Sequence, residues 1–287
     1  MRQLFPAVLG VLLLAACDDK TVQSPNPMYY AWPERFDFRM EQVSELQREA
    51  RPVQRFEAHK VLKFTVREDQ YVMVYDSVLK TTIVPGGPAQ LAPYLPEDTL
   101  AFYLELGRRG DLGRVVAGCD PALPECAAVL PSSVAIELRR MVPSLPMWPV
   151  PRGGTWTDTL RFDDAGRPSG TRGTFVTTYG PVRDTSMGGA EYWLVPWHTI
   201  KRAFRRPFAG AGLAPEQPAE DDGLTLIDKR RLLPVFSTWA GAAGAPRELR
   251  AIGIEASAFR ARVYLVDSPF DSAFAPSRPA GPESATP

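Results

Sequence analysis

Three cysteines and two histidines are the residues whose chemistry would be most informative. Cys119 and Cys126 stand in "CDPALPEC", with six residues between them, two of them prolines. In an oxidising compartment such a pair closes a short loop and contributes about 2.5 kcal/mol through loop entropy. The other readings are two free thiols or a metal pair. Two thiols with no nearby imidazole cannot complete a zinc site. A structural disulfide, stapling a loop ahead of a helix, is the expectation.

His198 lies in "YWLVPWHTIKR". Strand alternation puts Trp193, Val195, Trp197 and Thr199 on one face and Leu194, His198 and Ile200 on the other. An imidazole among aromatics suits a general base or a ligand. The competing reading is a half-buried histidine with one local hydrogen-bond partner. His59 alternates with Val61 and Lys63 and suits a surface position. Two histidines do not make a three-histidine metal site. No G-x-S-x-G, H-E-x-x-H, P-loop or G-x-G-x-x-G is present. "EDDG", 220–223, lacks the alternating oxygen ligands of a calcium loop and reads as a solvated acidic turn. The expectation is no catalytic residue, no metal and no cofactor. Lys+Arg and Asp+Glu both number 33, and a cancelled charge argues against nucleic acid as a partner.

Cys17 belongs to a different pattern. Arg2 supplies a positive start, and Leu4 to Ala16 an apolar run of 13 residues. That is short of the roughly 20 needed to cross a bilayer as a helix. The segment "LAAC", Leu14 to Cys17, resembles the bacterial lipobox at every position. The resemblance implies a signal peptide over 1–16, cleavage before Cys17, and acylation of the Cys17 thiol and then of its new amino group. Two or three acyl chains make a stable anchor where one does not. Asp18 and Asp19 either resemble an inner-membrane retention signal or begin a solvated linker. The expected location is the bacterial cell envelope, anchored by lipid and facing the periplasm or the exterior. That compartment permits the Cys119–Cys126 bridge.

Residues 17–33 then read as a lipidated cysteine followed by a mobile tether, and 267–287, rich in Pro, Ala and Ser, as a disordered tail. Between them, over 34–266, the dominant period is two. "RFDFRM" places Phe36, Phe38 and Met40 on one face. Leu62, Phe64 and Val66 do the same in the next run, and Tyr71, Met73 and Tyr75 in the one after. Glu68 to Gln70 suit a hairpin. A Gly-rich turn over 107–110 joins a further pair. "TWTDTLRF" and "TRGTFVTTYG" flank a turn, and 190–204 reads as a long strand with Pro196 as an edge or bulge signal. "LTLIDKRRLLPVFSTWAG", "RELRAIGIEA" and "FRARVYLV" complete the strands, with "EASAF" as the last tight turn. One stretch, 131–142, carries Val134, Leu138, Met141 and Val142 at helical spacing and is bracketed by Pro131 and Pro143. The fold class is mainly β: an antiparallel curved sheet or incomplete barrel. It forms two β halves around a crossover, 119–154, that contains one central helix, with few other helices in the chain.

A lipobox, a tether and long antiparallel strands interrupted by a helix resemble bacterial lipoproteins of the LolA/LppX-like type. "LPMWPVPRGGTWTDT", 145–159, is similar to the crossover of envelope lipoproteins with such sheets. The resemblance implies a curved incomplete barrel closed by helices over an apolar cavity that handles lipid. Trp156, Tyr179, Tyr192, Trp193, Trp197 and His198 are the candidate lining of such a concavity, the Trp and Tyr residues being otherwise core packing. Lys201, Arg202, Arg205 and Arg206 are candidates for contact with anionic headgroups, or else a charged strand end. The functional expectation is a non-enzymatic envelope protein binding a lipid or other amphiphile. The alternative is a scaffold or interaction lipoprotein with a filled core and an envelope protein partner.

Overall fold

The computed structural model describes residues 20–21, 28–67, 70–164, 166–167, 170–205, 214–216, 218–245 and 247–273. The lipobox, Cys17, Arg206 and 274–287 lie outside them. Among the described residues fifteen strands form one antiparallel sheet. They are β1 (Lys20–Thr21), β2 (Arg35–Arg48), β3 (Arg51–Arg67), β4 (Gln70–Ile83), β5 (Gln90–Leu91), β6 (Ala101–Leu106) and β7 (Leu112–Ala117). The second half holds β8 (Trp156–Asp163), β9 (Thr171–Tyr179), β10 (Arg183–Met187), β11 (Ala190–Arg205), β12 (Ala214–Pro215), β13 (Ala219–Asp228), β14 (Leu233–Gly244) and β15 (Ala256–Leu265). The helices are α1 (Pro124–Ala127), α2 (Pro131–Met141), α3 (Arg247–Ala251) and α4 (Pro269–Ala273).

The sheet runs β9-β11-β13-β14-β15-β2-β3-β4-β6-β7, with β8 beyond β9. It is a nearly closed, barrel-like sheet with one unsealed seam. The two halves meet where β15 pairs with β2. β7 and β8 are the edges facing the seam, and α2 touches both of them as well as β14 opposite. The curl can be gauged from one side chain. Phe175 on β9 and Phe259 on β15 are four strand spacings apart, about 19 Å along a flat sheet. Yet the Arg140 guanidinium of α2 lies 5.3 Å from one ring and 5.2 Å from the other.

Alternation explains the core. Phe36, Phe38 and Met40 of β2, Leu62 and Phe64 of β3, Met73 of β4 and Phe102 and Leu104 of β6 are all buried on the concave face. Val134, Leu138 and Met141 of α2 pack into the same cluster. Proline at the first helical position and Val142 just after the last turn bound the helix as its sequence requires. Pro196 falls within β11 where its neighbour changes: 190–194 pair with β10 and 197–205 with β9. Its missing donor therefore costs little there.

Four expectations need correction. Residues 28–33 do not form a free tether, because Met28 and Tyr30 are 2% and 1% exposed. Tyr30 donates its hydroxyl to Pro143 O at 3.0 Å, and the amide of Ala31 binds Leu232 O. The tail is ordered at its start, where α4 places Phe270 against Tyr192 and Phe236. "RELRAIGIEA" is not a strand: strong helix formers make α3, and the strand begins later, inside "EASAF". "EDDG" is not a solvated turn but part of β13, with Asp221 only 1% exposed.

Candidate functional site

The helix α2 carries polar groups on the side that faces the concave sheet. Glu137 accepts from Lys60 of β3 and from the Tyr75 hydroxyl of β4, both at 3.0 Å. Burial pulls the Lys60 ammonium down, but Glu137, backed by Asp98 and Glu97, outweighs it and holds the group above its ordinary value. Arg139 donates to Gly110 O at 2.8 Å and lies 3.1 Å from Asp158 of β8. Arg140 donates through Nε to Asp221 Oδ2 at 2.6 Å. The amide of Ser132 at the helix start binds Asp164 Oδ2, and Ser237 Oγ donates to the Met141 carbonyl at its end. α2 is thus held at both ends and along its polar face.

Burial pushes the Asp221 carboxyl up, against the pull of Arg140 beside it. Gly241 makes room for this carboxylate: a Cβ there would lie 2.7 Å from Asp221 Oδ1 and 2.7 Å from the Phe259 ring. Tyr30 and Tyr75 are pushed well up by burial, and Tyr179 is raised for the same reason.

The expected apolar hollow is filled at the level of α2. The space left among Phe36, Phe64, Leu104, Leu138 and Val142 is about 10 Å³, room for a single water at most. The six candidate lining residues do not share one surface. Trp156 stacks on Tyr179 at 5.3 Å and donates to Ser144 O at 2.7 Å. Trp197 donates to Thr225 Oγ1 at 3.3 Å, and Trp193 packs half-buried against the same core. These four are packing residues of the concave side. Tyr192 lies on the other face, under α4. His198 is also on the convex face, half-exposed, with Nδ1 2.9 Å from Asp222 Oδ1. That matches the reading of a histidine with one local partner. His59 is exposed, as alternation suggests.

The basic cluster is also divided. Lys201 points into the concave side and pairs with Glu216 at 3.5 Å, while Arg202 and Arg205 are exposed. The disulfide forms: Cys119 and Cys126 are bonded, with Cα atoms 5.9 Å apart, just before and within α1. Among the described residues no cluster of three or more His, Cys, Asp or Glu side chains could hold a metal.

A larger space opens at one end of the barrel, a cleft of about 500 Å³ lined by Arg35, Phe36, Asp37, Arg231, Leu233 and Leu265. Sequence reasoning did not find it, because its walls come from the start of β2, the β13–β14 turn and the end of β15. The β14–β15 and β15–β2 pairings together bring them to one place.

These features define a curled antiparallel sheet plugged by a helix at its seam. Among solved structures the chain is similar to one described as "Lipid-protein interactions in lipovitellin", at 10% identity and a TM-score of 0.33. The match covers 82% of this chain and 25% of that one, so this chain spans about a quarter of that protein's length. No family model matches the chain, and no curated protein matches it.

Proposed function

We propose that this is a lipid-anchored bacterial envelope protein that works through its surfaces, as a scaffold or interaction module, rather than by enclosing a ligand. The observation that supports this best is the packing of α2 into the concave face, where the space left is about 10 Å³, too small for an acyl chain. The polar contacts of α2 on β3, β4, β8 and β13 oppose its leaving to open a cavity. The complete lipobox supports the anchor and the envelope location. Native mass spectrometry of the full protein, released from detergent, tests the first part. Only the mass of the acylated chain is expected; a co-purifying lipid, recovered by extraction, overturns a ligand-free core. Metabolic palmitate labelling tests the second: Cys17→Ser abolishes incorporation, and unchanged labelling contradicts the anchor.

A second reading rests on the 500 Å³ cleft. Arg35 and Arg231 line it together with Asp37 and Asp267, beside Phe36, Leu233 and Leu265. Charges of both signs next to apolar side chains suit the headgroup and chain of an amphiphile. The same native spectra distinguish the readings: a bound lipid lost in Arg231→Glu selects the cleft.

A further inference from the structure

The chain reaches the sheet at Lys20, three residues after Cys17. Lys20 pairs with Asp184 and Thr21 with Arg183, adding β1 beside β10. Three residues span at most about 11 Å. A lipid carried on Cys17 therefore holds the β10 side of the barrel within that reach of the bilayer.

Which end of the barrel this is follows from a chain of contacts. β1 is antiparallel to β10, so its N-terminal end points toward Met187 and the β10–β11 hairpin. Lys229, in the β13–β14 turn, pairs with Asp184 at 2.6 Å. Leu232 of the same turn accepts from Ala31, and the neighbouring Tyr30 amide binds Arg108 O in the β6–β7 turn. One end of the barrel thus presents the turns bearing Arg108, Arg230 and Arg231, and beside them Tyr29, 43% exposed. Arg108 and Arg230 are exposed, and the amphipathic tyrosine ring suits the headgroup level.

We propose that this end lies against the membrane, with Arg108, Arg230 and Tyr29 in contact with anionic lipid headgroups. The inference rests on acylation of Cys17. It also removes Lys201, Arg202 and Arg205 from the same bilayer. Asp184 is level with Trp193 of β11, and the 12 residues from there to Arg205 extend about 41 Å along the strand. These three cations belong to the far end.

The test uses the full acylated protein in vesicles of phosphatidylglycerol and phosphatidylcholine that carry a headgroup quencher. A fluorophore is placed at Ser186→Cys near the hairpin or at Arg205→Cys at the far end; both positions are exposed. Quenching at 186 is expected to exceed that at 205 several-fold. Arg108→Glu combined with Arg230→Glu is expected to lower quenching at 186 at least twofold in these vesicles and to leave it unchanged in pure phosphatidylcholine. Equal quenching at the two positions, or more at 205, overturns the orientation. Charge reversal without effect in the anionic vesicles overturns the headgroup contact. An intact mass lacking acyl chains overturns the anchor itself, and the orientation with it, before any label is read.

Discussion

Arg140 of α2 and Asp221 of β13 form an ion pair whose carboxylate is almost wholly buried, Nε donating to Oδ2 at 2.6 Å. The Arg140 guanidinium lies between the rings of Phe175 and Phe259. One side chain thus ties the plug helix to strands that are far apart in sheet order. Removing either partner leaves a charge in a place built for two.

Arg140→Met is expected to destabilise the fold by about 2–4 kcal/mol at neutral pH, because Asp221 is left buried and unpaired. Asp221 already titrates above its unfolded value. An acid raised in this way costs stability as pH climbs from the unfolded value through the folded one. Without Arg140 it is raised further and stays neutral in acid. The loss should therefore be smaller at about pH 4 than at about pH 7. Urea unfolding at both values measures it, and an equal loss at both would remove Asp221 from the account.

Alkaline unfolding should be cooperative. Tyr30, Tyr75 and Tyr179 are raised by burial, and Tyr264 is pushed up to about 12 by burial and by Glu41 beside it. Lys60 is raised by its acidic neighbours. Each of these groups keeps its full contribution below its unfolded pKa, about 10 for both types, and loses it as pH rises toward the folded value. Tyrosinate absorbance from these four should appear together with the loss of near-ultraviolet circular dichroism. Smooth ionisation around pH 10 with tertiary structure intact would contradict the burial.

Cys119→Ser with Cys126→Ser should lower stability by about 2.5 kcal/mol without changing the sheet. The loop lies beside α1 and lines no cavity described above, so lipid anchoring and headgroup quenching should be unaffected. A wholesale loss of β structure by circular dichroism would mean the bridge organises more than its loop.

Gly110→Ala should cost about 2–3 kcal/mol. Gly110 has φ +72°, and a Cβ there would come within 2.4 Å of Pro143 O and 2.8 Å of the Tyr30 ring. Thermal unfolding gives the comparison, and a midpoint within a degree of the parent's would show that the turn can yield.

The strands were legible wherever one face is apolar: Phe36, Phe38 and Met40, or Leu62 and Phe64, declare their period directly. The continuation of β2 over 41–48 was not, since Glu41, Gln42 and Glu45 give no alternation to read. The helix was legible because proline brackets it, and the disulfide because the compartment implied by the lipobox permits it and no imidazole lies near to complete a metal site. Asp221 and the cleft were not, because sequence assigns an acidic run to solvent, whereas here Arg140, 81 positions away, brings its counter-charge. Aromatics were grouped as a lining by type, although alternation alone already sets His198, and by the same parity Tyr192, across the strand from Trp197, and the register bears that alternation out.

The joining of β15 to β2 has a kinetic consequence. Tyr264 and Glu41, in contact across that pair, are separated by 223 positions. The first long strand to emerge must wait, with one edge unpaired, for the last. Contacts this distant in sequence are slow to form, and an open edge invites foreign pairing meanwhile. A chain tethered at Cys17 throughout that interval would complete its sheet while already confined to a surface, so crowding at the membrane, more than in solution, would set how often it misassembles.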